Sequence, residues 1–163
     1  MKAIILAAGQ SSRLHPLTIT IPKCLLKIGN TTILDYNLSI LERAGIEDIV
    51  LLVGHQGQIL EEKYGNRLEC IFYEDYKKTN NLYTLNSAIR HLDQETLVMF
   101  SDVLIDFKTL KNIINTKSDY NLLVHQKDIL EGTMKVKVRD DSIHEIGSHI
   151  PQTEADGNFV GIA

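Results

Sequence analysis

No aspartate or glutamate precedes Asp35, although Lys2, Arg13, Lys23 and Lys27 all fall in that opening stretch. Cysteine is nearly absent. Cys24 and Cys70 are too few for a disulfide framework, and this usage suits a reducing cytoplasm, where a free thiol is simply a small apolar group. Among the two cysteines and six histidines no pair has zinc-ligand spacing, which argues against zinc. No apolar run approaches the ~20 residues of a membrane span, so no membrane partner is expected. The N-terminal apolar run leads into a Gly/Ser loop and an arginine, which reads as the first strand of a fold and not as a secretion signal. A net charge of −4 argues against nucleic acid as the main partner. Repeats, low-complexity tracts and linkers are also missing. What remains, 163 residues with 44% apolar and 23% charged, predicts one globular domain, 1–163, around one core.

The chain alternates short β-rich runs with amphipathic segments. Lys2–Ala7 and Asp48–Val53 read as buried strands, Glu69–Tyr73 and Thr96–Phe100 as a third and fourth, and Tyr120–His125 as a fifth. Helices are predicted from Thr31 or Thr32 through Ala44, over 58–64, 81–92 and 108–115. In the third of these Leu82, Leu85, Ile89 and Leu92 are expected to face inward, and Asp106 is expected to cap the fourth. Met134–Arg139 and Ser142–Gly147 read as a hairpin across Asp140-Asp141, and Phe159–Ala163 as a last strand. Such alternation predicts an α/β fold, a three-layer α/β/α sandwich on a Rossmann-like, mostly parallel mixed sheet. Ligands of such sheets sit beyond the carboxyl ends of the strands. The loop after the first strand and Asp102 after the fourth therefore face one crevice.

That first loop carries the chemistry. Gly9 lacks a Cβ, so backbone can approach a ligand closely, and loop N–H groups can bond phosphate oxygens or a base edge. Arg13 offers a planar fork to phosphate and Lys23 a compact charge behind the stiff Pro22. A tight strand-to-helix turn would also use small residues, but it would not need two cations and no acid. The loop has neither the Walker nor the dinucleotide-binding glycine pattern. Asp102 at a strand end suits Mg²⁺, or else a turn or a cap. Asn80 and Asn81 carry amides with the donor and acceptor that a pyrimidine edge needs; either could instead cap the helix. No histidine stands at a telling distance from an acid or nucleophile.

Leu6-Ala7-Ala8-Gly9, Ser12-Arg13-Leu14, Pro16-Leu17-Thr18 and Pro22-Lys23-Cys24-Leu25-Leu26 stand in register with a known signature. It is that of the nucleotidyltransferase superfamily of sugar-nucleotide and cytidylyl transferases, which the chain resembles over nearly its whole length. Ser11 stands where that family often has a second glycine. Asn80-Asn81-Leu82-Tyr83-Thr84-Leu85 looks like the choline-phosphate and aminoalkylphosphonate cytidylyltransferase branch. The resemblance implies the fold of nucleotide-diphospho-sugar transferases. It assigns Leu6, Ala7, Ala8, Gly9, Ser11, Ser12, Asn80 and Asn81 to nucleotide binding. Arg13 and Lys23 would hold the triphosphate and its developing charge, and Asp102 would hold Mg²⁺.

The implied reaction moves a nucleoside monophosphate, CMP from CTP in the first instance, to a small phosphate or phosphonate acceptor and releases pyrophosphate. A sugar-1-phosphate uridylyl- or thymidylyltransferase is the alternative. Relatives of this kind usually continue beyond the Gly161-Ile162-Ala163 strand, and that further part supplies a second acidic metal ligand. The expectation is therefore a domain shortened at its C-terminus, with Asp156 a weak substitute for that ligand. A nucleotide-binding module without turnover is the reading from a different class. Glu131 and Lys135 are candidates for the acceptor, and an unfinished sheet edge could invite a second copy.

Overall fold

The computed structural model describes residues 1–163 and falls into two compact units, Met1–Asn115 and Thr116–Ala163. In the first unit the elements run β1 (Lys2–Ala7), β2 (Lys27–Ile28), β3 (Thr31–Thr32), α1 (Ile33–Arg43), β4 (Asp48–Val53), α2 (Gly57–Tyr64), β5 (Glu69–Phe72), α3 (Asn81–Asn86), β6 (Thr96–Phe100) and α4 (Phe107–Asn115). Strands β5, β4, β1 and β6 form a four-stranded sheet in that order, and every pairing is parallel. The chain steps from β1 to β4 to β5 on one side, then crosses to place β6 on the other side of β1. Strand order therefore reverses between β1 and β6, the position where open α/β sheets bind ligands.

All six residues of β1 are buried, as are Val50, Leu51, Leu52 and Val53 of β4. Continuous apolar strands are what a sheet covered on both faces requires. Ile4, Leu6, Val50 and Leu52 form one cluster with Ala88, against which Leu85, Ile71, Val98 and Phe100 pack. By the two-residue strand period Ala3, Ile5 and Leu51 face the other side, and Leu34, Leu38 and Leu41 of α1, Leu60 of α2 and Leu110 of α4 are buried completely or nearly so. This is the three-layer α/β/α arrangement that the sequence pattern predicts.

Local signals act as read. Thr32 caps α1, its Oγ1 accepting from Asp35 N at 3.0 Å. Asp106 Oδ1 accepts from Thr109 N at 3.0 Å at the start of α4. The segment 81–92 is corrected. Helix α3 stops at Asn86, a short 3₁₀ turn follows over Ile89–His91, and Leu82 (71% exposed), Ile89 (64%) and Leu92 (42%) face solvent. The small Thr84 and Ala88 are buried in their place. Close approach of this segment to the sheet favours small side chains, and the break after Asn86 shifts the helical phase that the leucines followed.

In the second unit β7 (Val124–His125), β8 (Lys135–Arg139), β9 (Ser142–Gly147) and β10 (Gly157–Phe159) form an antiparallel sheet in the order β7-β10-β8-β9. The β8–β9 hairpin turns at Asp140-Asp141, both left-handed (φ 49° and 60°), as a tight hairpin turn requires. The expected fifth strand is shorter than Tyr120–His125 and pairs antiparallel with β10; the expected last strand lies at Gly157–Phe159. Asp156 Oδ2 accepts from Val138 N at 2.7 Å, next to a bulge in β8. Lys135 is 3% exposed, and its ammonium donates to the Ser148 carbonyl at 3.2 Å. Both side chains have structural partners within this unit.

Candidate active site

At the reversal of strand order a cleft of about 600 Å³ opens within the first unit. Its walls bring together Leu6, Ala7, Gly9, Ser11, Arg13, Lys23, Asn81 and Asp102, all read from the sequence as site residues. Ala8, Ser12 and Asn80 lie outside the lining. Ala8 is buried beneath it, and its carbonyl accepts from His55 N at 3.0 Å. Asn80 caps α3 through Oδ1, which accepts from Leu82 N at 3.0 Å. Leu14, Cys24, Phe100 and Ser101 complete the wall. Motif reading passed over these four because they stand beside the residues with chemistry; their adjacency to Lys23 and Asp102 was the available signal.

The loop after β1 is shaped by its backbone. Ser11 adopts the left-handed conformation, φ 51° and ψ 37°, which glycine would adopt at less steric cost. The buried Thr18 secures it by donating from Oγ1 to the Ser11 carbonyl at 2.8 Å. A Cβ built on Gly9 would meet no atom of the chain within 4 Å. Space over this backbone is therefore open to a ligand.

Lys23 Nζ donates to Asp102 Oδ2 at 2.5 Å, bridging residues 79 positions apart. Each side chain keeps 32% of its surface exposed. Arg13 is exposed on the same cleft and makes no ion pair within the chain. Two cations thus share the cleft lining with one carboxylate, a net positive wall suited to a polyphosphate with a divalent ion. Beside them the Cys24 thiol is pushed up to about 12 by burial, with the nearby Asp102 charge adding to the rise. At neutral pH this thiol is no nucleophile.

A parallel sheet with a cationic loop and a carboxylate at its order reversal defines an open α/β domain with a crevice suited to phosphate. The sequence matches the family described as nucleotidyl transferase over residues 2–132, and the chain belongs to that family. It is 34% identical over 149 residues to a choline-phosphate cytidylyltransferase of Streptococcus pneumoniae, covering 90% of this chain and 63% of that protein. It is 29% identical to a CTP:phosphoglutamine cytidylyltransferase of Campylobacter jejuni, covering 99% of this chain and 72% of that one. The solved structure of the Streptococcus pneumoniae CTP:phosphocholine cytidylyltransferase superposes with a TM-score of 0.76 at 29% identity, over 99% of this chain and 68% of that one. The chain thus spans less than two thirds of the length of the first of these relatives.

Proposed function

We propose that this chain transfers a cytidylyl group from CTP to a small phosphate or phosphonate acceptor. The observation that carries the reading is the Lys23–Asp102 contact at the mouth of a cleft that also holds the unpaired Arg13. An acceptor oxygen attacks the α-phosphorus. The bond from that phosphorus to the bridging oxygen of the β-phosphate breaks, and pyrophosphate departs with the electron pair. The acceptor is already an anion, so no protein base is required, and catalysis reduces to positioning and charge neutralisation. Arg13 and Lys23 neutralise the phosphate oxygens. Ala7 and Gly9 form a floor over which the nucleoside can lie. Asn81, which lines the cleft, is assigned to the base edge, because Asn80 already caps a helix.

Mg²⁺ fits the residues present. Asp102 is a partly exposed carboxylate whose Oδ2 alone is engaged by Lys23, and this ion is commonly held by one or two carboxylates, water and substrate phosphates. When bound it would supply Lewis-acid neutralisation of the triphosphate. CTP is preferred as donor because the named relatives above are cytidylyltransferases. The test is pyrophosphate release from CTP and Mg²⁺ with phosphocholine, 2-aminoethylphosphonate and sugar 1-phosphates offered in turn. Release with one acceptor supports the reading. CTP binding without release under every acceptor supports a binding module, a second reading favoured by Asp102 being the only carboxylate in the cleft lining.

A further inference from the structure

Two contacts cross between the Lys23 turn and α1 on one side and the end of β6 on the other. Lys23 Nζ donates to Asp102 Oδ2, and Asn37 Nδ2 donates to the Val103 carbonyl at 2.7 Å. Val103, the residue after Asp102, is therefore held from elsewhere in the fold. Of these groups Asn37 is the unusual one. It sits in the middle of α1, fully buried at 0% exposure, and its Oδ1 has no hydrogen-bond partner.

A buried amide with an orphan carbonyl is a poor choice for stability, because an unpaired polar atom in a dry interior is costly. An apolar residue would serve α1 better, since its neighbours Leu34, Leu38 and Leu41 are buried hydrophobics. The one thing Asn37 supplies that an apolar residue cannot is the donor to Val103. That bond spans 66 positions and anchors the Val103–Leu104 peptide, one residue beyond Asp102. The same helix packs against the 3₁₀ turn Lys23–Leu25. One rigid element thus backs both members of the cation–carboxylate pair.

We infer that Asn37 is a positioning residue. It acts through Val103 to hold the Asp102 carboxylate in the place that receives the divalent ion carried by a nucleoside triphosphate. The inference rests on the reading of Asp102 given above. Groups that orient a metal-binding side chain from behind typically change metal affinity by about 10–100-fold when removed.

The test uses Mn²⁺ as a spectroscopic probe, titrated by electron paramagnetic resonance into the intact chain in the presence of CTP. Asn37→Leu removes the polar group at similar size, and Asn37→Ala removes the donor by truncation. Both should weaken CTP-dependent Mn²⁺ binding about tenfold or more, while the affinity for CTP without a divalent ion stays as in the wild type. A merely structural asparagine would leave the Mn²⁺ titration unchanged in the folded variants, and that result overturns the inference. Asp102→Asn keeps the two levels apart. If it leaves Mn²⁺ binding intact, the reading of Asp102 itself fails and the inference goes with it. If it abolishes binding while the Asn37 variants do not, only the inference fails. Should neither variant fold, the wild-type protein still decides: adding Mg²⁺ to its CTP complex should shift the NMR signal of the Asn37 side-chain amide, and an unmoved signal refutes the role.

Discussion

Lys23 and Asp102, 79 residues apart, meet at 2.5 Å where strand order reverses in the parallel sheet. The pair is about one third exposed on each side, and ion pairs that exposed contribute little to folding, about 0–1 kcal/mol. Their closeness therefore concerns the cleft more than the stability of the fold.

Lys23→Ala should lower kcat/KM for CTP by a factor of about 10²–10³, the loss expected when one group that stabilises developing charge is removed. Its midpoint of urea unfolding should move by less than ~1 kcal/mol equivalent. Steady-state kinetics alongside equilibrium unfolding checks both. A parallel collapse of stability would make the pair structural.

Gly54→Ala should destabilise the first unit. A Cβ there would lie 2.8 Å from the Ala8 carbonyl oxygen and 2.8 Å from the Tyr76 ring. Neither is the loose end of a flexible chain, since Ala8 O also accepts from His55 N. Overpacking of this kind costs about 1–3 kcal/mol. An unchanged urea midpoint would refute the clash.

Ser11→Gly should stabilise the protein by about 0.5–1 kcal/mol. Relief of the left-handed strain, roughly 1–2 kcal/mol for a residue with a Cβ, exceeds the added backbone entropy loss of glycine, about 0.5–1 kcal/mol. The bond from Thr18 survives, because it is accepted by the Ser11 main chain. Ser11→Val should do the reverse, and thermal unfolding of the two variants orders them.

Acid should weaken the first unit through Asp35. Burial opposes ionisation of this carboxyl, but hydrogen bonds from Lys63, Tyr64 and Thr32 together outweigh it and hold it below its ordinary value of 3.8. A depressed carboxylate contributes stability that is complete above its unfolded-state pKa and is lost as pH falls through the folded value. The contribution should thus disappear on acidification below about pH 4. Asp35→Asn should flatten this limb of a stability–pH curve measured by urea unfolding, and an unchanged limb would sink the assignment.

Much of this was legible in the residues themselves. Strands β1, β4 and β6, helix α1 with its Thr32 cap, the Asp106 cap and the β8–β9 hairpin all follow from local rules: apolar continuity, capping oxygens and turn residues. The cationic loop announced itself by the absence of acids before Asp35. Segment 81–92 did not yield to the same reading, because its large apolar residues follow a helix that stops at Asn86, and its buried positions belong to Thr84 and Ala88.

Local sequence determined which segments became strand, helix and loop, and it placed Arg13, Lys23 and Asp102 at loop positions near strand ends, because backbone preferences and side-chain periodicity act over a few residues. Only the tertiary structure decided that Asn80 caps a helix while Asn81 reaches the cleft, that Lys23 meets Asp102, and that a buried Asn37 holds the Val103 carbonyl one residue past that carboxylate. Those contacts join residues as many as 79 positions apart. They come from the order in which the parallel strands assemble and from how α1 packs, and no short-range pattern encodes either.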